Sequence, residues 1–297
     1  MTATPRTAVV IGCGTTGTSV ALALTAAGTS VALVDDDPGA VAEAAALGAG
    51  TAWTPGLPPA DLVVVSTAPS AVADAVHDAQ SRGLGHVYTD TAATKDIVCA
   101  EAELRGCDLK GYVPGHPLAG ADAPGRDDAD AARFTGRPWV VCPYETTPAW
   151  ALETVDALIA ACGAHRVDLA PHVHDRIAAE LSHAPHLIAA AYTTRFADSS
   201  EAFLRLAGEE LQAAVRTAGG DPWLWGDVLA HNAGPVADVL DRVAGELARA
   251  AAVLREGDSC APLELAPTLQ EGRRGQLALQ RAGHGRTARD APAGGRG

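Results

Sequence analysis

The first 170 residues alternate short, continuous apolar runs with longer segments in which apolar residues recur every three or four positions. The short runs are typical of strands buried on both faces, and the longer spacing is typical of the helices that cover them. Strands are predicted at residues 7–11, 30–34, 61–66, 86–89, 110–113, 137–142 and 165–169, and helices at 18–27, 38–47, 70–82, 95–105 and 147–162. This alternation predicts an α/β fold with a mostly parallel, doubly wound sheet.

From Pro171 onward the apolar residues keep a helical spacing, and no further strand-like run occurs. One helical pattern extends from Pro171 to about residue 196 and is interrupted at Pro185. Further helices are predicted at residues 201–217, 223–231 and 236–254. Because so many apolar helix faces need partners, this half is predicted to be an all-helical domain that forms a substrate wall and a dimer interface. Residues 257–297, rich in Gly, Arg and Pro, are predicted to be a poorly ordered tail with at most one short helix.

A glycine-rich turn, Gly-Cys-Gly-Thr-Thr-Gly at residues 12–17, lies between the first predicted strand and the helix after it. The second strand ends on Asp35, eighteen residues after Gly17. The three glycines permit a tight turn, close approach of a pyrophosphate and packing of helix on strand, and the helix N-terminus attracts the phosphates. In this context the pattern predicts a dinucleotide-binding Rossmann fold. The predicted cofactor-binding residues are Gly12, Cys13, Gly14, Thr15, Thr16, Gly17, Asp35 and Thr67.

Asp35 also indicates which dinucleotide binds. A carboxylate here accepts hydrogen bonds from both ribose hydroxyl groups of NAD, whereas the 2′-phosphate of NADP would meet Asp35, Asp36 and Asp37. Neither Arg nor Lys occurs between Asp37 and Arg82 to offset this negative charge. The predicted organisation is therefore an NAD-binding Rossmann domain at 1–170, a helical substrate and dimerisation domain at 171–256 and the tail at 257–297.

Composition narrows the classes of function. The 297 residues carry a net charge of −14, which argues against nucleic acid as a partner because its binding needs a basic surface. The six cysteines show no Cys-x-x-Cys spacing and are interpreted as reduced thiols of a cytoplasmic protein. No N-terminal stretch resembles a signal peptide and the apolar runs are too short to span a bilayer, so no membrane partner is expected.

A candidate catalytic histidine occurs in Gly-His-Pro-Leu-Ala-Gly, residues 115–120. Gly and Pro on either side of His116 disfavour a helix or a continuing ladder, so the imidazole is predicted to sit in a turn at the rim of the sheet. Histidine is the side chain that exchanges a proton near neutral pH. The polar segment 121–135 is interpreted either as a flap over this site or as a surface loop.

Several motifs in a fixed order resemble the prephenate/arogenate dehydrogenases of tyrosine biosynthesis, a family that includes 4-amino-4-deoxyprephenate dehydrogenases. The resemblance covers roughly residues 6–255. It rests on residues 12–17, Asp-Thr-Ala-Ala-Thr-Lys at 90–95, residues 115–120, His174-Asp175, Ser-His-Ala-Pro-His at 182–186, and Arg216 followed by Asp-Pro-Trp-Leu-Trp at 221–225. It implies an NAD-dependent enzyme that removes hydride from C4 of a cyclohexadiene while the ring carboxylate leaves as carbon dioxide.

The resemblance also implies roles for single residues. His116 takes the hydrogen bond from the C4 substituent as hydride departs, and Arg216 binds a substrate carboxylate with its planar guanidinium. Ser182, His183 and His186 are expected to line the same pocket. The resemblance also implies a homodimer through the helical domain and a small dicarboxylate as substrate.

Other interpretations compete at several positions. Trp225 is interpreted either as a pocket residue or as a core residue, and Lys95 as a group that holds its loop through a carbonyl or an acid. His174 with Asp175 is interpreted as a structural pair near a helix start. No metal site is predicted from His172, His174, His183 and His186, because no Cys or carboxylate completes a recognisable ligand set.

The chain departs from the family pattern at positions that bear on the substrate. Ala93 stands where serine is usual, Gln212 where Arg or Lys is usual, and Ala121 and Asp122 where a hydroxyl residue and Glu usually follow the His-Pro motif. A site that loses hydroxyl groups and one cation favours a substrate with an ammonium group, either arogenate or 4-amino-4-deoxyprephenate. If Thr94 replaces the missing serine, prephenate itself remains the expected substrate.

Two further alternatives stay open. A non-catalytic dinucleotide-binding sensor would use the same scaffold, although the retention of His116 and Arg216 argues against it. The β-hydroxyacid dehydrogenases share the domain order, but they need a catalytic lysine on the long helix after the nucleotide domain. Residues 175–194 contain none.

Overall fold

The computed structural model describes residues 4–118, 129–257 and 260–287. The chain forms two compact units, with the boundary between Val236 and Ala237. The first unit holds a six-stranded sheet, a three-stranded sheet and a series of helices. The second unit holds most of one long helix and all of another.

The main sheet is parallel throughout, with the strand order β3-β2-β1-β4-β5-β6. Its strands are β1 (Thr7–Ile11), β2 (Ser30–Val34), β3 (Thr51–Ala52), β4 (Ala60–Val65), β5 (Gly85–Asp90) and β6 (Tyr112–Val113). The helices between them are α1 (Thr15–Ala26), α2 (Pro38–Ala46), α3 (Pro69–Ser81) and α4 (Asp96–Leu104). The predicted Rossmann-type alternation is confirmed, whereas the two-residue β3 is too short to leave a pattern in the sequence.

The middle of the sheet is buried on both faces, which explains its continuous apolar runs. Along β4, Leu62 and Val64 enter the core beneath α1 and α5 (Ala149–Ala161), while Val63 and Val65 enter the core beneath α3 and α4. Each side chain of this kind contributes roughly 1.5–3 kcal/mol when fully buried. The two cores hold the carboxyl ends of β1, β4 and β5 along one edge of the sheet.

Two of the predicted strands lie outside the main sheet. A second sheet has the order β7 (Gly115–Pro117), β8 (Pro138–Val141), β9 (His165–Asp168), with β7 antiparallel to β8 and β9 parallel to it. The prediction that the ladder ends before His116 is therefore wrong, since His116 pairs with Val140. Pro114 has no N–H for the main sheet, but its carbonyl accepts a bond from Cys142 N at 2.9 Å, which starts the second ladder.

The helical run that starts at Pro171 contains one widened turn. It consists of α6 (Pro171–Ala178), a π-helical turn (Ala179–His183) and α7 (Ala184–Thr193). Pro185 has no N–H for the carbonyl four residues earlier, and its ring crowds that carbonyl. A π-turn relieves this clash, and such turns are frequent at functional sites. The interruption predicted at Pro185 is thus a change of helical pitch immediately before it.

The prediction of one continuous helix at 201–217 is wrong. The segment forms α8 (Glu201–Leu204), α9 (Glu209–Val215) and a 3₁₀ turn (Arg216–Ala218), with Gly208 in extended conformation ahead of α9. Gly costs about 1 kcal/mol relative to Ala inside a helix, which favours a break there. Two further helices follow, α10 (Pro222–Ala230) and α11 (Ala233–Glu256).

The predicted tail contains a long helix, α12 (Ala261–Thr287), so the expectation of at most one short helix is wrong. Its Leu, Gln, Arg, Glu and Ala residues are good helix formers and prevail over Pro267 within it. In the second unit, Arg249 of α11 donates to Thr268 Oγ1 of α12 at 3.2 Å. Across the described ranges, no helix combines the length and the apolar character that crossing a membrane requires.

A buried ion pair holds the loop that follows β5. Lys95 Nζ contacts Asp90 Oδ1, and both side chains are fully buried. Asp90 also accepts bonds from Ala92 N at 2.9 Å and Tyr112 OH at 2.7 Å. One of the two roles predicted for Lys95, pairing with an acid, is therefore confirmed. The loop from 90 to 95 is closed on itself at the carboxyl edge of the sheet.

Removing the cation alone should destabilise the fold, because Asp90 would stay buried without its counter-charge. We expect Lys95→Met to lower the free energy of unfolding by about 3–5 kcal/mol. Asp90→Asn combined with Lys95→Met should restore part of that loss. The exposed Lys110 is the matched control, since Lys110→Met should stay within about 0.5 kcal/mol of the parent. Denaturant titration measures all three variants, and equal stability of the two single variants would contradict the role of the pair.

Candidate active site

The glycine-rich turn has the geometry that a dinucleotide requires. Gly12 has φ +99°, and a Cβ there would lie 2.3 Å from Ser66 O. A Cβ on Gly17 would lie 1.9 Å from Gly12 O, so helix α1 packs directly against the turn. At Gly14, by contrast, a Cβ would meet nothing within 4 Å. The turn therefore leaves open space at its middle glycine, in front of the N-terminus of α1, where a pyrophosphate fits.

Asp35 follows β2 and is tied to this turn. Its Oδ2 accepts a bond from Cys13 N at 2.6 Å and its Oδ1 one from Asp37 N at 2.9 Å. Asp37 caps α2 by accepting from Gly39 N at 2.9 Å. The carboxylate of Asp35 thus keeps lone pairs for ribose hydroxyl groups at the carboxyl edge of the sheet. The half-buried Thr67 follows β4 at the same edge.

His116 lies at the same edge of the molecule. Thr91, next to Asp90, donates to Ser66 Oγ at 2.9 Å, and Ser66 borders Gly12. On the other side, Gly115 N donates to Asp90 Oδ2 at 3.3 Å. The ends of β4 and β5 therefore connect the nucleotide turn to the strand that carries His116.

The imidazole of His116 contacts a second histidine. His116 Nδ1 lies 2.8 Å from His174 Nε2, and the two rings meet edge to face with centroids 5.1 Å apart. Burial holds the pKa of His116 well below its usual value, and the neighbouring His174, Lys95 and His183 lower it further. His116 is therefore neutral at physiological pH and able to accept a proton.

His174 is in turn bonded to Asp175. His174 Nδ1 lies 2.7 Å from Asp175 Oδ1, which also accepts from Lys95 N at 2.8 Å, and Asp175 Oδ2 accepts from Asp96 N at 2.9 Å. Burial by itself raises the pKa of Asp175, but these three donors outweigh it and hold the pKa below its usual value. Sequence reasoning missed this contact with His116. The only signal was the His-Asp dipeptide itself, which we interpreted as structural.

Asn232 fixes the next histidine of the cluster. Its Nδ2 donates to Asp175 O at 2.7 Å and lies 3.0 Å from His183 Nδ1. Since this amide nitrogen is a donor, His183 Nδ1 accepts. Burial lowers the pKa of His183 to about 4, against the opposing effect of Asp175. Nothing in the sequence pointed to Asn232.

His186 and Trp225 form a stacked pair, with ring centroids 3.5 Å apart and planes 10° apart. His186 is buried and Trp225 half-buried. Burial lowers the pKa of His186, whereas the backbone of Thr217 opposes this shift. The ring of His183 packs edge to face with the same indole, with ring centroids 6.4 Å apart. Trp225 therefore links the two histidines that were predicted to line the substrate pocket.

The other predicted site residues differ in exposure. Ala93 is half-buried and Thr94 fully buried, and Thr94 Oγ1 forms no hydrogen bond with any described residue. Ser182, Gln212 and Arg216 are exposed. Ala121, Asp122 and most of the segment from 121 to 135 lie outside the described residues, as does the end of the His-Pro motif. Within the described ranges, no three His, Cys, Asp or Glu side chains converge as a metal site.

Comparison with known proteins gives matches over most of the chain. The model of the prephenate dehydrogenase nucleotide-binding domain matches residues 20–168, and that of the prephenate dehydrogenase dimerization domain matches residues 170–271. The first match begins after the glycine-rich turn, so the assignment of this turn to dinucleotide binding rests on the geometry of the turn and not on the match.

Two curated relatives and one solved structure represent the matches. The probable prephenate dehydrogenase NovF of Streptomyces niveus is 39% identical over 251 residues, which are 84% of this chain and 69% of that protein. The prephenate dehydrogenase of Bacillus subtilis is 25% identical over 264 residues, 85% of this chain and 71% of that protein. The crystal structure of Aquifex aeolicus prephenate dehydrogenase with hydroxyphenyl propionate and NAD+ has a TM-score of 0.79 at 21% identity, covering 94% of this chain and all of that one, and it supports the fold.

Alanine at two glycines should separate binding from folding. Gly14→Ala adds a methyl group where the protein has open space, so we expect ordinary thermal stability but weaker NAD binding. Gly17→Ala forces a methyl group against Gly12 O and should lower Tm as well as binding. Calorimetric titration with NAD and thermal unfolding measure the two effects. Unchanged NAD affinity in Gly14→Ala would contradict the proposed position of the pyrophosphate.

Proposed function

Because the chain belongs to the prephenate dehydrogenase family, we propose that it catalyses the NAD-dependent oxidative decarboxylation of a prephenate-type cyclohexadiene. The observation that carries this proposal is the contact of His116 Nδ1 with His174 Nε2 at 2.8 Å, at the edge of the sheet that bears the nucleotide turn. A base in this position meets the requirement of the reaction, which is to accept one hydrogen bond while the ring becomes aromatic.

The proposed chemistry needs little from the protein besides orientation and one base. Bound NAD supplies the acceptor for the hydride that leaves C4. His116 accepts a hydrogen bond from the C4 substituent and so stabilises the positive charge that develops at this carbon. The ring carboxylate departs as carbon dioxide, and the electrons of its bond complete the aromatic ring. The proton shared with His116 then returns to the C4 substituent.

The remaining predicted substrate residues have roles that follow from their chemistry. Arg216 is exposed, and its planar guanidinium suits a substrate carboxylate. The stacked pair of His186 and Trp225 offers a flat wall to a ring. His183 and Ser182 belong to the same helical run, and Gln212 precedes Arg216 by one helical turn.

The loop between Asp90 and Lys95 bears on the identity of the C4 substituent. Ala93 offers no hydroxyl group. A C4 hydroxyl prefers a partner that both donates and accepts hydrogen bonds, whereas an amine at C4 does not need such a partner. This supports 4-amino-4-deoxyprephenate, with arogenate as the alternative. The buried hydroxyl of Thr94 supports prephenate instead, as does the 39% identity to a probable prephenate dehydrogenase. The alternative from another class is a non-catalytic dinucleotide-binding sensor, which measurable turnover of any substrate would exclude.

Assembly and location complete the proposal. We assign residues 1–170 to NAD binding, 171–256 to the substrate wall and a homodimer interface, and leave 257–297 without a role. The match to a dimerization domain supports the dimer. Five buried cysteines form no disulfide within the described residues, which supports a reducing, cytoplasmic environment: Cys13, Cys99, Cys107, Cys142 and Cys162.

The cofactor preference is the first test. NAD should give a higher kcat/KM than NADP, because Asp35 would repel a 2′-phosphate. Asp35→Ser should narrow the ratio by removing that repulsion. Asp198→Ser is the matched control, since Asp198 is an exposed carboxylate in the segment after Pro171 and not part of the nucleotide turn. Equal kcat/KM values for the two cofactors in the parent enzyme would refute the assignment.

The substrate test follows NADH formation with prephenate, arogenate and 4-amino-4-deoxyprephenate side by side. We expect turnover of at least one of them, and a loss of about 10²–10⁴-fold in kcat for His116→Asn, which keeps a polar group but no base. Ala93→Ser should increase the turnover of prephenate more than the turnover of a C4-amino substrate. The amino-substrate preference is wrong if prephenate leads by a wide margin and Ala93→Ser changes nothing. Absence of turnover with all three substrates would favour the sensor.

A further inference from the structure

Three side chains in series, Asp175, His174 and His116, connect the N-terminus of α4 to the proposed catalytic site. We propose that His174 and Asp175 are positioning residues that fix the tautomer of His116, so that its Nε2 faces the substrate as an acceptor, and that they take over the proton His116 receives. This inference rests on the proposed role of His116 as the base.

The series starts from an anion that cannot donate. Asp175 accepts two backbone N–H groups, from Lys95 at 2.8 Å and Asp96 at 2.9 Å, at the positive end of the α4 dipole. These contacts and its low pKa keep the carboxylate ionised, and an ionised carboxylate only accepts. His174 Nδ1, 2.7 Å away, must therefore carry a proton.

The order of protons then follows along the series. When this Nδ1 proton is the only one on the His174 ring, Nε2 presents a lone pair. His116 Nδ1, 2.8 Å from that atom, must be the donor. A neutral His116 with its proton on Nδ1 has a lone pair at Nε2, and no described residue bonds to this nitrogen. The structure thereby selects the tautomer of His116 that accepts a hydrogen bond from a C4 hydroxyl or amine.

The same series is a better place for a proton than His116 alone. Positive charge on His116 is disfavoured by burial and by three charged or titratable neighbours: Lys95, which precedes α4, His174 of α6 and His183 of the π-turn. His174 instead touches the carboxylate of Asp175. When His116 Nε2 receives the substrate's proton, its Nδ1 proton moves to His174 Nε2, and the imidazolium forms beside Asp175. No proton is gained or lost in this step.

Two substitutions of His174 separate the parts of the series. Gln extends an amide to the Nε2 position and keeps an acceptor for His116 Nδ1, but it cannot hold a proton. Asn reaches only the Nδ1 position, so it keeps the contact with Asp175 and leaves His116 without its acceptor. His172→Gln is the matched control, because His172 is an exposed histidine on the same helix. Each variant is prepared as full-length enzyme with NAD bound, and its Tm is recorded.

The first readout needs no turnover. Nitrogen-15 NMR of the imidazole rings, assigned with His116→Asn, should find the His116 proton on Nδ1 in the parent, in His174→Gln and in His172→Gln. His174→Asn should lose this fixed tautomer. The proposal is overturned if the parent carries the proton on Nε2, or if His174→Asn leaves the spectrum of His116 unchanged. This outcome is independent of the substrate, so it is distinguishable from failure of the proposed function.

The second readout is the pH dependence of kcat on the best substrate. A neutral pair is required, so kcat falls as pH drops and the pair takes up a proton. His174→Gln should move this acidic limb to lower pH, because the proton loses its place beside Asp175, and His172→Gln should leave it in place. His174→Asn should lose about 10²–10⁴-fold in kcat with little change in KM. A purely structural role would lower kcat at every pH without moving the limb, which overturns the relay.

Discussion

The candidate site depends on the hydrogen bonds that the carboxylate of Asp175 accepts. This carboxylate lies at the start of the helical run, is almost fully buried and accepts bonds from two N–H groups of α4 and from His174. A buried anion is tolerable only when such donors surround it, so α6 is held against the first turn of α4 in one position. The same residue accepts a bond at its carbonyl from Asn232, which orients His183.

A second carboxylate, Asp90, holds the other end of the same short loop. Lys95 joins the two anions, since its side chain pairs with Asp90 and its backbone N–H binds Asp175. Ala93 and Thr94 lie between these anchors, so the positions that discriminate among C4 substituents in our proposal are carried on stiff backbone. Stiffness here has a chemical use, because a base and a specificity loop act only if they keep their relative positions.

The departures from the family pattern concern the lining of the site, whereas the frame is retained. The glycine turn, Asp35, His116 and the His-Asp pair are present, and burial together with its neighbours holds the pKa of His116 well below its usual value. In our proposal, a change at Ala93 or Gln212 alters what the substrate contacts, while the buried network of Asp90, Lys95 and Asp175 stays in place. The proposal therefore assigns substrate choice to residues other than those that carry the family motifs.

The sequence by itself determined the parts of this protein that depend on local pattern. Strands such as Thr7–Ile11 and Ser30–Val34 were predictable because burial on both faces demands unbroken apolar runs, and the nucleotide turn because only glycine fits its close approaches. His116 was predictable as a candidate from its Gly and Pro neighbours and from the resemblance of the surrounding motifs.

Only the tertiary structure decided how distant segments meet. The second sheet pairs His116 with Val140, and His174 reaches His116 from 58 residues away. No periodicity records such pairings, because they depend on where Pro114 ends one ladder and on how α6 docks on α4 through a buried carboxylate. The length of α12 also escaped prediction, since helix-forming side chains prevailed over a composition that favours disorder. Local propensity fixes which elements form, and the need to satisfy buried polar groups fixes which side chains they bring together.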